Sequence, residues 1–380
     1  MPNQVTQPNL KRRTRGLILT YQCNLNCVYC YVQNKCDKVM PLEVAQKAIM
    51  DVFCMVKEPG FDEVEIDFIG AEPLTAFERL REISEWVWGQ TWPRPYIFFA
   101  TTNGTLLTDE MKAWFTQHKQ RFYLGLSYDG ITETQNRNRS NSAGDVDLEF
   151  FRKNWPKQHL KMTITEATVA NLTESIIYLH RLGFRIAANP AHGMKEWSAE
   201  NIREYGRQLL KLADYYLVNP EVPRASLFSL DLKKVFGHLR SEGNKYCGAG
   251  VAYDVIDTDG MRYPCQLFSP LVLPASKLAG LAEIDFGSVE PFAYYKCQQC
   301  ILKKICPTCF GVNYRDHGDP AVRETALCQL FIVQVLANCK YYAKLFLTKK
   351  ELTREERATA FAVQRIHQVL SKVKKEANCG

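Results

Sequence analysis

Three cysteines near the start of the chain have the spacing of ligands to a metal centre. They lie in the segment Cys23-Asn-Leu-Asn-Cys27-Val-Tyr-Cys30, which directly follows an apolar run ending at Thr20. Three thiolates in one short loop can bind three irons of a 4Fe-4S cluster, which leaves the fourth iron without a protein ligand from this loop. Structural zinc is the alternative, but it usually has four ligands, and the nearest other thiol is Cys36. The spacing therefore favours an iron-sulfur cluster with an iron open to chemistry.

A second set of cysteines lies in the last third of the chain. Two close pairs, Cys297-x2-Cys300 and Cys306-x2-Cys309, have spacings that also occur in zinc ribbons. Taken alone these pairs favour zinc, and an iron-sulfur interpretation depends on what precedes them in the chain. The full set is Cys247, Cys265, Cys297, Cys300, Cys306, Cys309 and Cys328.

The composition limits the class of protein that carries these cysteines. The chain has 380 residues, 14 of them cysteines, with 46% hydrophobic and 23% charged residues, which is enough to form one large or two modest cores. Neither a signal peptide nor an apolar run of membrane-spanning length is recognisable, so we expect a soluble, cytoplasmic protein with reduced thiols and no membrane contact. The net charge is +7, and the one dense basic run, Lys11 to Arg15, is interpreted as a solvated flank rather than a nucleic-acid site.

Short apolar runs alternate with helical patterns between the two cysteine sets. Pro41 begins one helix with an apolar face, and Asn171, Glu174 and Gly183 predict the start and the end of another. Six strand-helix units in series favour a parallel sheet, open or curled into a partial barrel, with the functional site at the carboxyl ends of the strands. The predicted strands are Gly16 to Thr20, Val64 to Ile69, Tyr96 to Thr101, Phe122 to Leu126, Lys161 to Thr165 and Arg185 to Ala188.

Short motifs follow the predicted strands in order. The cysteine segment, with Tyr29 before its third cysteine, follows the first strand, and Gly70-Ala-Glu-Pro73 follows the second. Thr102-Asn-Gly104 follows the third strand, and Leu126-Ser-Tyr-Asp-Gly130 follows the fourth. Together these motifs resemble those of the radical SAM superfamily, whose GGEP motif has one glycine replaced by alanine here. The resemblance implies an α/β fold, a partial (β/α)6 TIM-type barrel.

The same resemblance implies a cofactor and its chemistry. Cys23, Cys27 and Cys30 would hold a 4Fe-4S cluster whose open iron binds S-adenosylmethionine (SAM). Reductive cleavage of SAM then gives a 5'-deoxyadenosyl radical that abstracts a hydrogen atom from the substrate. Arg139 fits either a structural role or a contact to the SAM carboxylate, and a carboxylate at position 72 suits the SAM ammonium group. The implied cofactor contacts are Tyr29, Gly70, Glu72, Asn103, Ser127 and Asp129.

The C-terminal cysteine set resembles the SPASM extension of radical SAM enzymes that modify peptides. Its last close pair is separated by two residues, where three are usual. By position, a distal auxiliary 4Fe-4S cluster would have the ligands Cys297, Cys300, Cys306 and Cys328, with Cys339 as the alternative to the last of these. A proximal cluster would have the ligands Cys247, Cys265 and Cys309.

Two departures from the SPASM pattern bear on the reaction. No further cysteine follows closely after Cys247, so the proximal cluster is expected to have an open iron that binds a substrate thiolate or water. Sulfatase-maturing relatives have an aspartate, which serves as the base, directly after the Tyr-Pro-Cys of this region, whereas this chain has Gln266. An amide cannot accept that proton, so formation of formylglycine is disfavoured, and no catalytic residue is assigned.

These observations predict a radical SAM peptide maturase with three 4Fe-4S clusters and SAM as cofactors. We expect an intrapeptide cross-link in a ribosomally made peptide, a thioether first and a carbon-carbon link next. The expected partners are a cysteine-containing peptide, a flavodoxin- or ferredoxin-type electron donor, and a separate leader-recognition protein, unless the SPASM face or the tail helix serves instead. The alternatives are a SPASM enzyme acting on a protein side chain, as sulfatase maturases do, and a non-catalytic zinc-binding interaction protein.

The predicted organisation assigns the remaining residues. The barrel spans residues 15–225, a connection 226–246, the SPASM domain 247–345 and a C-terminal helix 350–376, with Thr353 and Glu356 as its capping box. The seven histidines show no metal-ligand spacing and are interpreted as structural or surface residues. Cys54 and Cys339 lie in amphipathic or apolar helices, where a buried small hydrophobic role is the usual explanation.

Overall fold

The computed structural model describes residues 11–55, 60–193, 197–236 and 247–377. Its first part is a series of parallel strands, each followed by a helix. The strands are β1 (Arg12–Thr20), β2 (Glu63–Gly70), β3 (Tyr96–Thr102), β4 (Phe122–Leu126), β5 (His159–Ile164) and β6 (Arg185–Pro190). The helices are α1 (Leu42–Met55), α2 (Phe77–Trp88), α3 (Asp109–His118), α4 (Thr132–Asn138), α5 (Leu148–Asn154), α6 (Leu172–Arg181) and α7 (Ala199–Val218).

The C-terminal part of the chain has less regular structure. It begins with a short hairpin and ends with two long helices. Turns that contain cysteines lie between the hairpin and these helices. The elements are β7 (Tyr253–Ile256), β8 (Arg262–Tyr263), α8 (Ala275–Leu278), α9 (Phe310–His317), α10 (Thr325–Leu347) and α11 (Arg354–Ala377). The turn at Asp259-Gly260 joins β7 to β8, and Gly260 adopts a φ of +85° there.

The strands form a curled sheet that is interrupted at one point. One sheet has the order β4-β3-β2-β1-β7-β8, and β5 pairs with β6 in a second sheet. A parallel bridge between Ser127 and Lys161 joins β4 to β5, so β1 to β6 follow one another around the curve. Alternate residues of β2, namely Val64, Ile66 and Phe68, are fully buried against the helices. The predicted α/β partial barrel is confirmed.

Strand β1 has neighbours on both sides. It pairs in parallel with β2, where Gly16 lies opposite Asp67, and with β7, where Gly16 lies opposite Val255. The hairpin that opens the predicted SPASM domain is therefore part of the barrel sheet. The domain limits stay predictions, and this pairing crosses one of them.

A buried ion cluster joins β1 to β7. Asp254 is 1% exposed and pairs with Arg13, with Arg15 at 2.6 Å between Nε and Oδ1, and with Arg262 at 2.5 Å. Arg13 and Arg15 are buried as well, so the interpretation of the basic run as a solvated flank is wrong for these two residues. Burial of both guanidinium groups is possible because the carboxylate compensates their charge. This pairing also explains why β1 begins at Arg12, four residues before its predicted start.

Helix α10 is a core helix. By length and composition alone it could cross a membrane, but Leu330 and Tyr341 pack into the barrel core. On another side, Val335 and Cys339 contribute to a smaller core with Ile366 of α11. The predicted burial of Cys339 is confirmed.

The prediction for Cys54 is wrong, because this thiol is exposed. The apolar face of α1 consists of Ile49, Val52 and Phe53, and Cys54 lies outside that stripe at the end of the helix. The predicted capping box of α11 is confirmed, since Glu356 N donates to Thr353 Oγ1 at 3.2 Å and Thr353 N donates to Glu356 Oε2 at 2.9 Å.

Replacing Asp254 tests the junction between barrel and hairpin. Asp254→Ala leaves Arg13 and Arg15 buried without a counter-charge, so we expect a loss of about 3–5 kcal/mol in the free energy of unfolding. Asp214→Ala is the matched control, because the Asp214–Lys344 pair is half exposed and an exposed pair contributes about 0–1 kcal/mol. Thermal unfolding of both variants, prepared without oxygen, measures the difference. Equal shifts would contradict the role given to Asp254.

Candidate functional site

The cysteine loop after β1 is held against the end of α4. Val28 N donates to the carbonyl of Asn138 at 3.0 Å, and Asn26 N donates to Ser140 Oγ at 2.9 Å. Ser140 and Asn141 have φ values of +55° and +56°, in the left-handed region that non-glycine residues rarely adopt. Such strain persists where the surrounding structure fixes it, and here the strained turn is the one that contacts the cysteine loop.

Asp129 ties this loop to the barrel. Its Oδ2 accepts from the Tyr29 hydroxyl at 2.8 Å and from Asn138 Nδ2 at 3.1 Å, and its Oδ1 accepts from Thr163 N at 2.9 Å. Arg139 Nε lies 3.1 Å from Oδ2. Asp129 is fully buried with protein donors on both oxygens. This arrangement gives Asp129 a positioning role, and its predicted contact to the cofactor stays a prediction.

Arg139 contacts both Asp129 and Tyr29. Its guanidinium carbon lies 5.3 Å from the centre of the Tyr29 ring, and the residue is 7% exposed. Burial by itself would lower the pKa of Arg139, but the Asp129 carboxylate, Tyr29 and Cys27 together outweigh it and the pKa is raised. Burial raises the pKa of Tyr29 well above its ordinary value, so the phenol stays neutral.

Glu72 has one acceptor position left for a ligand. The side chain is 2% exposed; Oε1 accepts from Thr102 Oγ1 at 2.7 Å and from Leu74 N at 3.1 Å, and Oε2 accepts from Asn103 N at 2.7 Å. A carboxylate accepts about four hydrogen bonds, so Oε2 has room for one more donor. Burial raises the pKa of Glu72 and the three hydrogen bonds oppose that rise. A cationic donor here would stabilise the ionised form, which fits the SAM ammonium group.

The Gly70 backbone is tightly packed. Gly70 has a φ of +140°, and a Cβ atom there would lie 2.3 Å from the carbonyl oxygen of Thr20. Ala71 has no left-handed backbone, and its N–H donates to the same oxygen at 3.0 Å. The motif therefore needs glycine at its first position and tolerates alanine at its second. Ser127, predicted as a cofactor contact, is half-buried at the end of β4, and its N–H donates to the Thr102 carbonyl at 2.9 Å.

The cysteines fall into three groups. Within each group, the neighbouring thiolates raise the pKa of one another. In the first loop, burial raises the pKa of Cys27 to about 11, and the Cys30 and Cys23 thiolates contribute. Burial likewise raises the pKa of Cys306 to about 12, with contributions from Cys328, Cys300 and Cys297. The third group consists of Cys265, Cys309 and Cys247. Burial raises the pKa of Cys265, and the other two thiolates raise it further. The assignment of these groups as ligand sets stays a prediction.

The cysteine groups do not have the arrangement of single-ion sites in the part of the chain that the structure describes. Across residues 11–55, 60–193, 197–236 and 247–377, no three His, Cys, Asp or Glu side chains converge where they would hold one metal ion. Ligands to a 4Fe-4S core bind different irons and therefore stand apart from one another. In addition, Arg323 donates to the Cys306 sulfur at 3.0 Å, a charge-assisted bond that favours a thiolate. That each group holds a cluster stays a prediction.

A cavity of about 610 Å³ separates the cysteine loop from the C-terminal part of the chain. Tyr29 and Cys30 line one side, and Val272 and Lys277 line the other. His192, in the loop after β6, also lines it. Its position directly after the sixth strand, at the functional edge of a barrel, was the signal in the sequence.

Gln266 connects the two cysteine regions. Its Oε1 accepts from the Tyr253 hydroxyl at 2.9 Å, and its side chain also hydrogen-bonds Tyr31. Tyr31 follows Cys30, and Gln266 follows Cys265. The amide can accept from one phenol and donate to the other, which a carboxylate cannot do. Position 266 is thus a bridge between two loops.

The raised pKa values predict slow alkylation of the grouped thiols in cluster-free protein. Because the thiolate is the nucleophile, Cys27 and Cys306 should react slowly with iodoacetamide at pH 8 and faster as the pH rises towards about 11 and about 12. Cys36 is exposed and serves as the internal control. Site-resolved mass spectrometry gives the rates. Alkylation of Cys27 as fast as that of Cys36 at pH 8 would be inconsistent with its burial.

Gly70→Ala should destabilise the protein by about 1–3 kcal/mol from the backbone conformation alone, and by more from the contact with Thr20. Because Ala71 and Glu72 follow directly, SAM affinity should fall too. Gly144→Ala is the control, since nothing lies within 4 Å of a Cβ atom at that position. Thermal unfolding and equilibrium dialysis with SAM provide the two measurements. A variant at position 70 as stable as the control would refute the steric argument.

Sequence comparison finds related enzymes, although no protein-family model matches the chain. A cysteine-type anaerobic sulfatase-maturating enzyme of Clostridium perfringens is 24% identical over 326 residues, which cover 75% of this chain and 84% of that enzyme. The radical SAM cyclopropyl synthase TigE of Paramaledivibacter caminithermalis is 20% identical over 342 residues, which cover 83% of this chain and 71% of the synthase.

Solved structures share the fold at low sequence identity. Native anSMEcpe with bound AdoMet (SAM) and the Kp18Cys peptide has a TM-score of 0.65 and 18% identity, covering 89% of this chain and 98% of that one. SuiB of Streptococcus suis bound to S-adenosylmethionine has a TM-score of 0.56 and 17% identity, covering 84% and 77%. SuiB was also solved with its precursor peptide SuiA. The predicted resemblance is confirmed: the chain is related in sequence to radical SAM enzymes and has the fold of peptide-modifying members that bind SAM.

Proposed function

We propose that this chain is a peptide maturase that uses SAM to form a cross-link within a ribosomally made peptide, with a thioether as the first choice. The observation that carries the proposal is the cavity that Tyr29 and Cys30 of the cysteine loop share with Val272, Lys277 and Arg315 of the C-terminal part. A peptide segment in this cavity would lie beside Cys30 on one side and the SPASM region on the other. The bound cluster and SAM supply hydrogen-atom abstraction, and the protein holds the peptide in place and excludes water.

The residues of the site have distinct tasks in this proposal. Glu72 accepts from the SAM ammonium group with its remaining acceptor position, while Asn103 and Ser127 lie at adjacent strand ends. Asp129 and Arg139 hold Tyr29 and with it the cysteine loop. The cysteine groups 23, 27 and 30, then 297, 300, 306 and 328, then 247, 265 and 309 hold three 4Fe-4S clusters. The last group leaves one iron free for a substrate thiolate or water.

The partners and compartment belong to the same proposal. A flavodoxin- or ferredoxin-type protein delivers the electron that starts the reaction, and the peptide leader is recognised by a separate protein or by the SPASM face. The exposed thiols, such as Cys36 and Cys300, suit the reducing cytoplasm.

Action on a cysteine side chain of a protein, as in sulfatase maturation, is the second candidate. Its support is the similarity to the Clostridium perfringens enzyme and to anSMEcpe with Kp18Cys. The residue that argues against it is Gln266, whose amide accepts from Tyr253 and cannot serve as a base. The two candidates differ in the fate of sulfur, because a thioether retains it and conversion of cysteine to an aldehyde removes it.

The test compares two peptides under anaerobic conditions with SAM and dithionite. One is a synthetic cysteine-rich peptide, and the other is Kp18Cys. We expect the first to lose two hydrogen atoms and keep all its sulfur, with about twelve irons per chain for three clusters. Mass spectrometry and iron analysis give both results.

Cys27→Ser is the control for the cluster, since it should release no 5'-deoxyadenosine. Loss of sulfur from Kp18Cys, with the first peptide unchanged, would support the sulfatase-type candidate instead. Two zinc ions per chain without SAM cleavage would indicate a zinc-binding interaction protein.

A further inference from the structure

His192 has a buried nitrogen without a partner. Its Nδ1 atom is shielded from solvent and makes no hydrogen bond with any residue that the structure describes. Buried polar atoms are nearly always paired, and leaving one unpaired costs about 1–3 kcal/mol. His192 lines the cavity beside the cysteine loop, and because Nδ1 itself has no accessible surface, a molecule bound there can contact the rest of the ring, which includes Nε2.

The other charged groups of the cavity are already engaged. The Asp316 carboxylate accepts from Arg315 Nε at 2.6 Å and from Arg315 NH2 at 3.0 Å. Lys277 donates its ammonium group to the carbonyl of Arg315. Lysine and arginine can only donate, and both oxygens of the Asp316 carboxylate already accept from the Arg315 guanidinium. Among these groups, the imidazole is the one free to accept a proton.

The surroundings keep His192 neutral. Burial lowers the pKa of His192, the nearby Arg315 guanidinium lowers it further, and Asp316 opposes them. A neutral imidazole has one nitrogen that donates and one that accepts.

A glycine brings the loop of His192 next to the C-terminal part of the chain. Gly193 has a φ of +71°, and a Cβ atom there would lie 1.6 Å from a terminal nitrogen of Arg315. Only a residue without a side chain lets the guanidinium of α9 pack on the loop after β6. The contact therefore places His192 between the cysteine loop and α9.

We propose that His192 accepts the proton that the peptide loses when its new bond forms. The inference rests on the proposed function. The substrate C–H bond breaks and its hydrogen atom passes to the SAM-derived radical; the thiol S–H bond breaks and its proton passes to His192. The C–S bond forms, and the one remaining electron reduces an auxiliary iron-sulfur cluster, which is the oxidant. The reaction therefore needs no base at position 266.

The test measures modified peptide per 5'-deoxyadenosine with the synthetic cysteine-rich peptide. General bases contribute about 10²–10⁴-fold, so in His192→Gln and His192→Ala we expect this ratio to fall at least about tenfold. Added imidazole should restore part of it in His192→Ala, because a small base can enter the cavity. His180→Gln is the control, since the His180 ring bonds the Phe184 carbonyl and the Tyr216 hydroxyl. An unchanged ratio, or loss without rescue, would overturn the proposal.

A second measurement needs no peptide. Diethyl pyrocarbonate acylates accessible neutral imidazole nitrogens, so at pH 7 His192 of the holoenzyme, whose ring lines the cavity, should react faster than His180, whose two nitrogens are both hydrogen-bonded. Slower reaction at His192 would overturn the proposal whichever peptide the enzyme accepts. Failure of the wild-type enzyme to modify either peptide, with fast acylation of His192, would instead contradict the proposed function and leave the free nitrogen established.

Discussion

The position of β1 between β2 and β7 is the constraint on which the site depends. Parallel pairing brings the carboxyl ends of β1 and β2 to one edge, which places the cysteine loop beside Glu72. Pairing with β7 brings the hairpin, and with it Cys265, to the other side of the same loop. The buried Asp254 carboxylate, shared by arginines of β1 and β8, fixes this junction electrostatically.

Two buried carboxylates near the cysteine loop show how similar chemistry serves different ends. Asp129 has protein donors on both oxygens, so its charge is used to fix Tyr29 and Arg139. Glu72 is nearly as buried, but three donors leave one acceptor position free. A carboxylate whose hydrogen bonding is complete positions other groups, whereas one with an unfilled position is suited to a ligand. Burying either carboxylate costs free energy because the group loses its water. Each one therefore depends on its particular hydrogen-bond partners.

The C-terminal part has few regular elements and small apolar clusters. Phe268, Phe292 and Phe310 form one of them, next to the turns that carry the cysteines. Grouped, buried thiols have raised pKa values, so metal binding must displace their protons. Binding and folding are then coupled, and iron-sulfur clusters would supply stability that a segment with so little core lacks.

Much of the fold was accessible from the sequence, because it follows from local patterns. All six barrel strands were predicted within four residues of their starts, since alternating apolar runs and helix signals repeat along the chain. The start of β1 was missed because Arg13 and Arg15 look like surface residues until Asp254, more than two hundred residues later, is folded against them.

The chemistry divides in the same way. Close spacing confined Cys23, Cys27 and Cys30 to one loop. Spacing did not decide that Cys306 and Cys309, three residues apart, belong to different groups. Only the tertiary structure decided that His192 lines a cavity and that Gln266 bridges Tyr31 and Tyr253. The same holds for Asp129, whose oxygens accept hydrogen bonds from protein donors. Burial, unpaired atoms and charge compensation depend on residues that are far apart in the chain. Local sequence patterns do not contain the distances between such residues.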